Sequence, residues 1–102
     1  MNIDINSLGI DLTEPLKVYI YEKIGGLDKY LQQYNPESLQ VDVEVSRTTA
    51  HHKHGDVFYA EVNLGLPGKM LRATQTTPDI RVSIDKVKDI LQREIRKYKD
   101  QR

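Results

Sequence analysis

The stretch LQVDVEVS, residues 39–46, alternates without a break. Leu39, Val41, Val43 and Val45 stand against Gln40, Asp42, Glu44 and Ser46. Successive side chains of a strand point to opposite faces, so this period of two predicts a strand with one buried face and one wet face. Residues 58–66 repeat it, with Phe58, Ala60, Val62, Leu64 and Leu66 against Tyr59, Glu61 and Asn63. Pro67-Gly68 reads as a tight turn, and Lys69 to Thr77 returns as a further strand. Near the start, Ile3 and Ile5 alternate with polar neighbours, predicting a short strand over Asn2 to Asn6.

The remaining apolar residues recur at spacings of three and four. Leu16, Ile20, Ile24, Leu27 and Leu31 form one helical stripe. Thr13-Glu14-Pro15 opens that helix: Thr13 suits the N-cap, Glu14 the positive end, and Pro15 a first turn that needs no donor. Asn35-Pro36 closes it. Gly25-Gly26 falls inside the pattern, and each Gly costs about 1 kcal/mol against Ala, so the helix is expected to weaken or kink there. Asp79 starts a second helix after Pro78, with the stripe Ile80, Ile84, Val87, Leu91, Ile95 and Tyr98.

The predicted order is β-α-β-β-β-α. Helices with one apolar stripe and strands with one apolar face make an α+β two-layer sandwich, a four-stranded sheet with both helices on one face. A strand–helix–strand passage between parallel neighbours makes a right-handed crossover, and the last three strands form a meander. With 102 residues the chain is expected to be one domain over residues 1–102, with no repeat or linker.

Composition narrows the function. The chain has 0 Cys, which excludes disulfides, thiol nucleophiles and zinc–thiolate sites and fits a cytoplasmic protein. MNIDINSLGIDL has neither a basic nor an apolar signal-peptide region, and no apolar run is long enough for a membrane helix. Neither a phosphate loop nor a nucleophile elbow is present. Asp42 and Glu44 share one strand face, where two acids are an ordinary wet surface rather than a catalytic pair. No catalytic group and no cofactor are expected. His51-His52-Lys53-His54 is the one cluster with metal-ligating side chains. Lys53 repels cations and no helical or strand spacing fixes the imidazoles, so a solvated hairpin loop is expected ahead of phosphate contact and of a metal site.

Charge carries the positive signal. The net charge is +0, but residues 1–68 hold 5 Lys and Arg against 10 Asp and Glu, while residues 69–102 hold 10 against 5. On the second helix Lys86, Arg93 and Lys97 are spaced by seven and four, which places them on one face opposite the apolar stripe. Arg96 and Lys99 widen the basic end, and Lys17, Lys23 and Lys29 of the first helix extend it. Such a face suits backbone phosphates and reads no sequence. Asp89 and Asp100 dilute it, and Asp89 has the spacing to pair with Arg93.

Two segments also resemble a known family. Ile10-Asp11-Leu12-Thr13-Glu14 leading to Tyr19, Lys23, Leu27, Lys29 and Tyr30 is similar to the first helix of ribosome hibernation-promoting factors, also called ribosome-associated inhibitor A or protein Y. Asp79, Ile84-Asp85 and Leu91, then Arg93 to Asp100, resemble the second helix, and Leu66-Pro67-Gly68-Lys69 the strand turn. The resemblance spans nearly the whole chain and implies a fold like a double-stranded RNA-binding domain. It implies binding to the small ribosomal subunit and its rRNA, in competition with mRNA and the A- and P-site tRNAs. By position it assigns RNA contact to Lys17, Lys23, Lys29, Arg93, Lys97 and Lys99. The chain departs from the pattern at Gly26 and Ile90, where basic residues are common, and at Arg81, where Tyr is usual. Long members of the family carry a second domain that pairs ribosomes; a sequence ending at Arg102 is expected to be a short form or an N-terminal domain. The rival readings are a generic structured-RNA module and a protein-interaction domain that uses the open sheet face.

Overall fold

A computed structural model describes residues 1–48 and 57–101. The histidines of the 51–54 cluster lie outside the described residues. Strands β1 (Asn2–Leu8), β2 (Gln40–Arg47), β3 (Phe58–Leu66) and β4 (Lys69–Thr77) form one sheet in that order, with helices α1 (Glu14–Gly25) and α2 (Ile80–Asp100). β1 pairs parallel to β2, as a crossover through α1 requires, and β2, β3 and β4 form the antiparallel meander. Two layers with both helices over one face are as the patterning predicts.

Register explains the core. Ile3 and Ile5 lie beside Val41 and Val43; Val43 faces Val62, and Val62 faces Ala73. These inward residues form one cluster with Leu16, Ile20 and Ile24 of α1 and Ile80, Ile84, Val87, Leu91 and Ile95 of α2. At Pro67-Gly68 the chain reverses with Gly68 at φ 78°, a conformation that a side chain would strain. The start of α2 is fastened from inside. The fully buried Ser83 hydroxyl donates to the Phe58 carbonyl (2.7 Å) and lies 2.7 Å from the Thr77 hydroxyl. The Asp79 carboxylate caps the Arg81 amide at 2.8 Å.

Three boundaries differ from expectation. β1 runs on to Leu8, held by its pairing with β2 through Ser46. The second strand begins at Gln40 rather than Leu39, whose side chain is buried all the same. The first helix is not one α-helix as far as Asn35. It ends at Gly25, and residues Gly26–Tyr30 form a 3₁₀ turn. Neither glycine needs its missing side chain for space: both keep right-handed φ, and a Cβ there would meet nothing within 4 Å. Two adjacent residues of poor helix propensity weaken the i→i−4 ladder, and the tighter turn of three residues keeps Leu27 in line beneath Ile24. Leu27 and Leu31 thus remain buried. Among the described residues, no helix is long and apolar enough to cross a membrane.

Candidate nucleic-acid interface

α2 spans 21 residues and buries one side only. Lys86, Arg93 and Lys97 are exposed on the side away from Ile84, Leu91 and Ile95, as their spacing predicts. Asp89 makes no ion pair with Arg93 among the described residues, so the cation stays available. A shallow groove between β4 and α2, lined by Gln75, Lys86, Asp89, Ile90 and Arg93, runs along this ridge. Ile90 occupies part of that groove as a half-buried apolar contact.

The other flank of α2 faces α1 and the 3₁₀ turn. Here Arg96 and Lys99 line a cleft with Tyr30 and Gln92. The Lys99 ammonium donates to the Tyr30 carbonyl at 3.0 Å, and Lys29 lies over the Tyr30 ring, 5.3 Å from its centroid. Lys29 therefore sits on the 3₁₀ turn and not on the first α-helix, and still joins the basic end of α2.

Lys17 and Lys23 do not act together. Six residues of helix set them about 120° apart around the axis. Lys23 turns toward α2, while half-buried Lys17 lies on the far flank of α1's buried stripe. Of the eight basic residues expected from sequence, Lys23, Lys29, Lys86, Arg93, Arg96, Lys97 and Lys99 gather over α2 and its contact with the α1 region, and Lys17 does not.

Three residues not assigned from the sequence complete the α1–α2 contact. The Tyr19 hydroxyl donates to Asp85 Oδ1 at 2.7 Å. Lys23 Nζ stands 3.8 Å from the same oxygen and 5.5 Å from the centre of the Tyr19 ring. The Arg81 guanidinium lies 5.2 Å from that centre. In the sequence Arg81 stands out only as a departure from a family pattern. Its partner Tyr19 is remote in sequence, and no local spacing links them.

The hydrogen bond to Asp85 is the main reason that the Tyr19 phenol is pushed up to about 12; desolvation and the Asp85 charge add to it, and Arg81 opposes it. The folded pKa lies above the unfolded value of 10.0, so this contact is fully present below pH 10 and lost as pH rises through about 12. In an ultraviolet pH titration Tyr19→Phe removes a tyrosine component ionising near pH 12; an unchanged high-pH limb rules the bond out.

The opposite face of the sheet has the opposite sign. Asp4, Asp42, Glu44 and Glu61 point outward, with Asp4 beside Asp42 and Glu44 across from Glu61. Arg72 offsets part of this: with Tyr59 and Asn63 it donates to the Glu61 carboxylate at 3.0, 2.6 and 2.8 Å. Those bonds, Tyr59's first, hold Glu61 below the usual carboxylate range. The neutral total is thus the sum of a basic helical face and an acidic sheet face, and a polyanion meets the first of these favourably. Among the described residues, no group of three or more His, Cys, Asp or Glu is disposed to hold a metal ion.

Residues 3–102 match the family model described as Sigma 54 modulation protein / S30EA ribosomal protein. The chain is 30% identical over 95 residues to the ribosome hibernation promotion factor of Deinococcus radiodurans, a match covering 93% of this chain and 47% of that protein. It is 33% identical over 101 residues to the factor of the same name from Lactococcus lactis, covering 97% and 50%. The chain spans about half the length of these curated relatives. In three dimensions it resembles the crystal structure of the Thermus thermophilus Protein Y N-terminal domain, with a TM-score of 0.74 and 26% identity, covering 96% of this chain and 99% of that one. A ribosomal subunit interface protein from Coxiella burnetii shares the fold at 18% identity and a TM-score of 0.71, covering 98% of this chain and 99% of that one.

Proposed function

Because the chain belongs to the Sigma 54 modulation protein / S30EA ribosomal protein family, we propose that it acts as a ribosome hibernation domain in the cytoplasm, binding the small ribosomal subunit and halting translation. The observation that carries this reading is the exposed basic ridge Lys86–Arg93–Lys97 on the helix face opposite the core. A ridge of that kind grips rRNA phosphates through charge and shape. Bound in the cleft that receives mRNA and the A- and P-site tRNAs, the domain blocks by occupancy, and the step needs neither a catalytic group nor a cofactor. The acidic sheet face would then turn away from the RNA.

Sedimentation with purified small subunits tests it. The domain is expected to co-sediment and to be displaced by added tRNA. With three to four phosphate contacts, the logarithm of the binding constant falls by roughly three units for each tenfold rise in salt. A flat salt response removes the electrostatic reading. Equal affinity for free structured RNA and for subunits makes the domain a generic RNA module instead.

A further inference from the structure

We propose that Arg81 and Lys23 form a phosphate clamp across the groove between α1 and α2, set in place by the ring of Tyr19. The proposal rests on the reading above and adds to the α2 ridge a contact point near the start of that helix.

An inter-helix tie accounts for only part of the cluster. The Tyr19–Asp85 hydrogen bond at 2.7 Å suffices to join the helices. Lys23 stands at 3.8 Å from Asp85 with both side chains more than 40% exposed, a loose surface pair. Arg81 adds a ring contact to α1 rather than a hydrogen bond. It is exposed, and among the described residues it makes no ion pair. It also stands in the first turn of α2, where the helix dipole disfavours a cation. Among the described residues its side chain meets the ring that Lys23 also approaches, at 5.2 Å against 5.5 Å. Two cations meet at one ring; Asp85 and, more weakly, Asp79 act on the Tyr19 phenol beside them, and both cationic heads remain exposed.

A phosphate can take both heads at once. Both heads are tethered to one centroid, so their separation cannot exceed the sum of the two distances, and they can reach the same or adjacent phosphates of one strand. Arg81 offers a planar fork of donors that matches phosphate oxygens. Lys23 can swing from Asp85 toward the phosphate, while the Tyr19 hydroxyl continues to satisfy that carboxylate. Tyr19 is thus a positioning residue: it carries no charge, yet its ring fixes where two charges stand. The ligand class is a phosphodiester backbone.

The test is the salt dependence of binding to purified small subunits, with circular dichroism on each variant. The slope of log K against log salt counts phosphate contacts. Arg81→Gln is expected to reduce it by about one contact. Tyr19→Leu, which removes no charge, is expected to reduce it by one to two, and Tyr19→Phe, which keeps the ring and so the Arg81 contact, to reduce it less than Tyr19→Leu does. Parent-like slopes for both Arg81→Gln and Tyr19→Leu, with Arg93→Gln lowered, overturn the clamp and leave the function standing. A flat response in the parent overturns the function instead. If Tyr19→Leu does not fold, Arg81→Gln decides, since this exposed side chain packs in no core.

Discussion

The double reversal Arg93→Glu with Lys97→Glu is expected to abolish inhibition of cell-free translation while leaving the fold intact. The two residues are one helical turn apart, so both heads reach one groove of phosphates. Arg can hold a phosphate through two donors, which makes it the stronger contact of the pair. Both are exposed on the face away from Ile84, Leu91 and Ile95, so their replacement leaves the core untouched. Reversal also converts attraction into repulsion, a larger change than truncation. Arg47 supplies the control: it is exposed at the end of β2, near the Phe58 ring, and away from α2's basic ridge. Arg47→Glu should therefore inhibit nearly as well as the parent. Inhibition is read from reporter translation against added protein, with circular dichroism on each variant. A folded double variant that inhibits like the parent shows that α2 does not face the ribosome.

Leu91→Ala should produce the largest loss of stability by a single core truncation in α2. Leu91 is fully buried at the middle of the helix, between Val87 and Ile95, in the cluster that joins α2 to the sheet. Truncation removes buried methyl groups and leaves a cavity that rigid strands cannot close, at a cost of about 2–5 kcal/mol. A domain of this size has only about 5–15 kcal/mol in total, so the change takes a large share. The midpoint of thermal unfolding should fall by at least about 10 °C. Subunit binding should weaken only where unfolded protein accumulates, since no phosphate contact is lost, which separates this variant from the charge reversal. A midpoint within two or three degrees of the parent would mean that the site collapses around the gap and that α2 packs less tightly than its burial indicates.

The residues that make the elements were legible because each acts on its own stretch of chain. Alternation in 39–46 and 58–66 places alternate side chains on one face whatever the rest of the protein does. The spacing of Lys86, Arg93 and Lys97 sets their common face in the same way, and it is the face left exposed. The helix-to-3₁₀ change at Gly25-Gly26 was legible only as a weak point. Propensity says where a helix is least stable; whether it kinks, stops or tightens depends on keeping Leu27 and Leu31 in the core.

By itself, then, the sequence determined the order of elements, the buried stripe of each, the two-layer sandwich and the basic ridge of α2. Only the tertiary structure decided which lysines of the α1 region lie beside α2, because the rotation of α1 against the sheet sends Lys23 toward α2 and Lys17 away. It alone brought Tyr19 to Asp85 across 66 residues of chain and placed Arg81 on the same ring. It also separated a neutral total into a basic face and an acidic one. The physical reason is range: backbone periodicity is fixed by neighbours three or four residues away, whereas contacts between helices depend on how both pack over the same sheet.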